Sequence, residues 1–166
     1  MTVSTPALRP LLPKDIPFLL RITRASIQQL AQDDYSPGQI DAWLESFSDD
    51  QAFAARLASG LTLVATIDGF PAGYAMLKGQ DELDLLYVAP GVVRRGVATA
   101  LVDALEKLAT ARGVQNLHVK ASDVARALFI ARGYDAKSRN TVSLGDEWLG
   151  YTLMTKALAG APSPLQ

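Results

Sequence analysis

An α+β fold is predicted, with a central, mostly antiparallel twisted sheet of about six to seven strands and helices on both faces. Three features of the sequence point to it. Helical spacing dominates the stretch before Gly60. Leu61–Val88 then reads as three β segments joined by tight turns. Finally, Leu85–Glu106 runs from a buried strand, through Pro90-Gly91, into a basic, glycine-containing entrance to an amphipathic helix. That last order has chemical meaning. A helix N-terminus carries unpaired N–H groups and partial positive charge, so it can hold a phosphate group.

The elements follow in order. Ala7–Leu11 is a first strand, stopped by Pro13, with Asp15 as the expected N-cap of a helix and Pro17 in its first turn. Phe18, Leu19, Ile22, Ile27 and Leu30 give that helix its apolar stripe. Ser36-Pro37 opens a second helix through Ile40, Trp43, Leu44 and Phe47, and Asp49 or Asp50 a third through Phe53 and Leu57. Leu61–Ile67, Pro71–Lys78 and Glu82–Val88 form a meander, its first turn marked by Asp68-Gly69. Gly96–Arg112 is a helix with Val97, Leu101, Leu105 and Leu108 on one face and Gly113 as its stop. Leu117–Lys120 is a short strand and Ser122–Arg132 a further helix, closed by Gly133. Tyr134–Val142 and Trp148–Thr155 pair around Gly145-Asp146. The unit from Glu82 to Lys120 places two strands in parallel through a right-handed crossover.

Composition bounds the function. A length of 166 residues, 49% hydrophobic and 20% charged, predicts a single domain, 1–166, with a Pro- and Ala-rich tail from Gly160 to Gln166 that frays. A net charge of −1 gives no electrostatic reason to expect nucleic acid or an anionic membrane. The absence of cysteine removes disulfides, zinc–thiolate sites and thiol nucleophiles, and fits a cytoplasmic setting. The first residues lack the basic-then-apolar pattern of a secretory signal.

The segment YVAPGVVRRGVATALVDALE resembles the acetyl-CoA signature of the GNAT superfamily of N-acyltransferases, Gln/Arg-x-x-Gly-x-Gly/Ala. Gly96 and Ala98 match its last two fixed positions, and Val93 departs from its first, while Arg94 and Arg95 keep the loop basic. Downstream, DVARALFIARGY resembles the family's Ala-x-x-x-Tyr-x-x-x-Gly-Phe helix through Ala125, Gly133 and Tyr134. Phe129 stands where that family often has tyrosine, and Ser122 where it often has asparagine. DDYSPGQIDAW, LDLLYV and TVSLGDEWLGYTLMTKAL are similar to a small bacterial subgroup of the same family.

The resemblance implies a GNAT-like sheet with its parallel pair at the cofactor cleft, acetyl-CoA as cosubstrate and no metal. It places the pyrophosphate on Arg94, Arg95, Gly96, Val97, Ala98 and Thr99, beside Val93. It lays the pantetheine arm along the backbone of Leu86, Tyr87 and Val88, like an added strand, with a bulge expected near Tyr87 to make room. Ser122 and Phe129 would pack against that arm, and Arg132 would reach the 3′-phosphate side or remain solvated.

Acetyl transfer to an amine needs a base, because an alkylammonium with a pKa of about 10.4 is protonated at neutral pH. Glu82, at the position where several family members carry a catalytic glutamate, and Asp84, two residues on and on the same strand face, are the candidates. Tyr87, Tyr151 or water could supply a proton to the leaving thiolate, since Phe129 cannot. Tyr35, Trp43 and Trp148 are expected at the acceptor, with Tyr151 beside them. His118, the one histidine, reads as structural. The expected acceptor is a small-molecule amine. A protein lysine or N-terminal amine, or a cofactor-sensing module without turnover, are the alternatives, and a homodimer is possible.

Overall fold

The structure is a computed structural model that describes residues 5–158, so the tail expected to fray lies outside the described residues. Its elements are β1 (Ala7–Pro10), α1 (Ile16–Leu30), α2 (Pro37–Glu45), α3 (Asp50–Ala58), β2 (Leu61–Ile67), β3 (Phe70–Lys78) and β4 (Glu82–Val88), followed by α4 (Val97–Ala111), β5 (Asn116–Ser122), α5 (Arg126–Ala131), β6 (Asp135–Leu144) and β7 (Glu147–Ala157).

Local chemistry explains most of the boundaries. Ser36 and Gln39 form a reciprocal capping box at α2. Asp49 caps α3 by accepting the N–H groups of Gln51 and Ala52, both at 3.0 Å. Asp68 and Gly69 both take positive φ, 53° and 85°, the turn that matches the twist of the β2–β3 hairpin.

Two expectations need correction. Asp15 does not cap α1 with its side chain. Its carboxylate accepts the Leu12 N–H across a short 3₁₀ turn and two hydrogen bonds from Arg9. The helix expected over Ser122–Arg132 is shorter. Ser122 completes β5 opposite Tyr151, and its Oγ accepts the Ala125 N–H at 3.2 Å, so α5 starts only at Arg126.

The fold is α+β. The seven strands form one sheet in the order β1-β2-β3-β4-β5-β7-β6, with every neighbouring pair antiparallel except β4–β5. Apolar alternation along the strands makes two cores. On one face Val97, Leu101, Val102 and Leu105 of α4 pack on Ala75, Leu77, Leu83 and Val119. On the other, Leu19 and Ile27 of α1, Ile40 of α2, and Phe53 and Leu57 of α3 pack on Val64, Tyr74, Met76 and Leu85. Tyr74 is fully buried there. The Thr23 hydroxyl donates to the Leu19 carbonyl at 2.8 Å, so its one proton is used and Tyr74 Oη donates to it at 2.5 Å.

Candidate active site

β4 and β5 stay paired for only two positions, Glu82 opposite His118 and Leu83 opposite Val119. The register of β3 against β4 explains why. Met76 pairs with Leu85 but Leu77 pairs with Leu83, which leaves Asp84 as an extra residue. The bulge is therefore at Asp84, three residues before the expected position at Tyr87. It changes which backbone groups face β5. The His118 N–H donates to Asp81 C=O at 2.8 Å, which orients the start of β4 toward β5. Beyond the bulge, the Ala89 N–H donates to Ala72 C=O of β3 at 2.8 Å. Counting back by two turns Leu86 and Val88 toward β5, but β5 has already moved away. Their N–H and C=O groups have no partner in β5, and Leu86 lines the gap this leaves.

The gap passes through the sheet. Leu83, Leu86, Val119 and Phe129 of the α4-side core line it, and so do Tyr87, Trp43 and Leu149 of the opposite core. The cleft has a volume of about 340 Å³. It can therefore receive one reactant from each face of the sheet.

At the C-terminal end of β4 the chain turns into α4. Gly96 sits at the N-cap with φ +80°, in the left-handed region, and no side chain caps the helix. Ala100 is the first residue of α4 whose N–H finds a carbonyl one turn back, that of Gly96 at 3.0 Å. The first-turn N–H groups are left for a ligand. Arg94 also takes a left-handed φ of +67°, and Arg94, Arg95 and Gly96 are all exposed. An exposed, uncapped turn with two left-handed residues and two arginines suits a diphosphate. Val97 is buried in the core, so its contribution to that turn is its backbone.

On the opposite face Glu82 and Asp84 both line the cleft, as their spacing predicts, but their environments differ. Arg56 of α3 grips Asp84 with Nε to Oδ2 at 2.9 Å and Nη2 to Oδ1 at 3.1 Å. Burial is the largest single influence on the Arg56 guanidinium and lowers its pKa, but the hydrogen bonds and the charge of Asp84, with smaller electrostatic contributions from Tyr87 and Tyr74, together outweigh it, and the pKa rises. Glu82 makes no ion pair or hydrogen bond through its side chain among the described residues. Sequence reasoning missed Arg56, whose only local signal is a charged residue near the end of a helix.

The aromatic residues form the wall. Trp43 meets Tyr35 edge-on at 5.4 Å between ring centres and Tyr87 at 6.4 Å. Burial pushes the Tyr87 phenol well above its ordinary pKa, so at neutral pH it stays protonated. Tyr35 is buried, and its hydroxyl donates to Gly150 C=O at 2.8 Å and accepts the Asp123 N–H at 2.9 Å. It is a tie between segments more than a free contact. Tyr151 lines the cleft from β7.

The remaining expected residues separate. Ser122 and Phe129 are on the cleft wall, Phe129 edge-on to Tyr134 at 5.0 Å. Arg132 is ion-paired with Asp103 of α4, away from the cleft lining. Trp148 is 62% exposed and does not line the cleft. Leu149 and Tyr151 face the cleft, and strand alternation turns Trp148 the other way. Among the described residues no group of three or more His, Asp or Glu side chains is placed to hold a metal ion. No helix among them is long and apolar enough to cross a membrane.

The family model for the acetyltransferase (GNAT) domain matches residues 31–158. The chain belongs to the GNAT family of acetyltransferases. Its relatives include an uncharacterised N-acetyltransferase of Escherichia coli strain K12, YafP, 31% identical over 136 residues that cover 82% of this chain and 85% of that one. A crystal structure of a GCN5-related N-acetyltransferase from Rhodopseudomonas palustris is 56% identical, with a TM-score of 0.91 over 95% of this chain and 99% of that chain. The PaiA N-acetyltransferase of Thermoplasma acidophilum, solved with coenzyme A, shares the fold at 21% identity, with a TM-score of 0.75 over 92% of this chain and 99% of the other.

Proposed function

We propose that this GNAT domain transfers the acetyl group of acetyl-CoA to the primary amine of a small molecule, with Glu82 as the base. The observation that carries this reading is the gap between β4 and β5, which crosses the sheet and is lined by Glu82 on the face opposite α4. The backbone of Gly96, Val97, Ala98 and Thr99 would hold the pyrophosphate, with Arg94 and Arg95 adding charge. Leu86 and Val88 would pair with the amide groups of the pantetheine arm. Bound there, acetyl-CoA supplies an activated acetyl group as a thioester.

Glu82 takes the proton from the amine, directly or through a water, and so exposes its lone pair. Both Asp84 oxygens are engaged by Arg56, which leaves that carboxylate to fix the wall and not to move a proton. A backbone N–H of β4 serves as the donor where negative charge develops on the acetyl oxygen. Tyr87 or Tyr151, both on the cleft lining, or a water would supply a proton to the leaving thiolate.

A small acceptor is favoured by the roof over this face. Gln39 Nε2 donates to Trp148 C=O at 2.8 Å, and Tyr35 spans from α2's entrance to β7. Together they tie the β6–β7 hairpin down over the entry, where a peptide would need an open groove. The test follows free-thiol release from acetyl-CoA over a pooled amine library. Glu82→Gln should lower kcat by about 100-fold or more while coenzyme A affinity holds. Gly96→Glu should abolish coenzyme A binding, because it places bulk and negative charge at the diphosphate site. Parent-like turnover in the first variant and parent-like affinity in the second would overturn the assignment.

A further inference from the structure

From the charges on the acceptor face we infer that the acceptor is a compact amine carrying its own anionic group, such as a carboxylate or phosphonate, and not a di- or polyamine. This inference rests on the proposed acetyl transfer and adds the class of amine.

Three cations reach the cleft wall, Arg56, Lys78 and Lys120, against two carboxylates, Glu82 and Asp84. All five lie on the face opposite α4. Lys78 stands across the ladder from Glu82, while its neighbour Leu77 points into the α4-side core. Lys120 pairs with Leu153 of β7, and its neighbours Val119 and Ala121 point into that same core. Arg56 comes from α3, which covers this face. The cations are therefore on the wrong side of the sheet to serve the diphosphate turn at Gly96.

Their partners are incomplete. Asp84 is consumed by Arg56, whose Nη1 makes no hydrogen bond among the described residues. Lys78 and Lys120 form no ion pair there, even though Lys78 is in direct register with Glu82. One carboxylate, Glu82, is left to meet the reacting amine. Once it does so, any second ammonium on the acceptor would meet two unpaired ammoniums, Lys78 and Lys120, beside an Arg56 whose charge Asp84 already offsets. A carboxylate would instead meet unused donors, and a guanidinium and two ammoniums are the side chains that recognise such groups. The aromatic wall of Trp43 and Tyr87 leaves room for an apolar body between the two ends.

The experiment ranks every amine in the library by kcat/KM, then builds a matched set on the best acceptor: the amino acid form, the same amine with the anion replaced by methyl, and the same chain ending in a second amine. The anionic member should exceed the neutral one by about tenfold and the diamine by more, with the gap shrinking in high salt. A Lys78→Ala, Lys120→Ala double variant should raise KM for the anionic acceptor and leave KM for acetyl-CoA unchanged. A preference for the diamine, equal rates across the set, or a rise in the acetyl-CoA KM alone would each overturn the inference while acetyl transfer stands. Coenzyme A binding with no thiol release on any amine would overturn acetyl transfer and this inference together.

Discussion

Arg9 grips the nearly buried Asp15 carboxylate with hydrogen bonds of 2.6 and 2.8 Å, and the Leu12 N–H adds a third at 2.8 Å. The hydrogen bonds from Arg9 hold the Asp15 pKa below the ordinary carboxylate value against the opposing effect of burial. The sign follows from that direction. In the unfolded chain Asp15 titrates near 3.9, so its stabilisation is complete above about that pH and is lost as pH falls through the lower, folded value. Removing the guanidinium leaves the carboxylate buried with one donor. Arg9→Leu should therefore cost about 1–3 kcal/mol in urea unfolding at pH 7. The difference from the parent should narrow below about pH 3.9, as both carboxylates become protonated. A deficit that stays constant from pH 7 to the acid limit would show that Arg9 acts by packing alone. Asp84 repeats this arginine grip inside the cleft, and it gives Asp84 an environment that Glu82, two residues earlier, lacks.

At the scale of elements, β4 shows what a sequence pattern can and cannot reveal. Its alternation is visible, and so are the Asp68-Gly69 turn and the glycine-containing, basic entrance to α4, because each is set within a few residues. The bulge is not visible, since it exists only as a mismatch with β3. The aromatic character of Trp148 suggests a pocket wall, but one step of strand parity sends it outward. Arg56 lies 28 residues before its partner Asp84, and no local pattern links them. The bulge makes a firm prediction. Leu83 and Val88 belong to the α4-side core and Leu85 to the other, with Leu86 and Tyr87 packing against those same two cores in turn. Deleting Asp84 therefore leaves every other β4 side chain on its present face and restores a regular register with β3. β5 can then pair further along β4 and close the gap. The deletion should fold, with far-UV circular dichroism like the parent's. Coenzyme A affinity should fall at least about tenfold, because two or more backbone hydrogen bonds of ~1 kcal/mol each are taken by β5. Retained affinity in a folded deletion variant would show that the bulge does not make the gap.

The whole molecule is a sheet with a slot, held at both ends. β4 and β5 hold the slot's closed end through two residue pairs, and the far end is bridged by Tyr35, whose hydroxyl joins the segment before α2 to β7 and to the turn after β5. The pattern Tyr35-Ser36-Pro37 announces a helix start but not this bridge, which spans 115 residues to Gly150. The bridge links stability to selectivity. Without the hydroxyl, the Gly150 carbonyl and the Asp123 N–H lose a shared partner, so Tyr35→Phe should cost about 1–3 kcal/mol. The same loss loosens the β6–β7 hairpin over the acceptor entry, so bulky amines should gain kcat/KM relative to compact ones. Stability loss alone does not explain such a shift, and Tyr74→Phe separates the two effects. Its hydroxyl donates to Thr23 inside the α1-side core and makes no hydrogen bond to the β6–β7 hairpin among the described residues. Tyr74→Phe should lose about 0.5–1.5 kcal/mol and leave the ratio of bulky to compact acceptors at the parent value. If both variants shift that ratio equally, selectivity follows global stability. If only Tyr35→Phe shifts it, the phenol before α2 sets the size of the amine this fold admits.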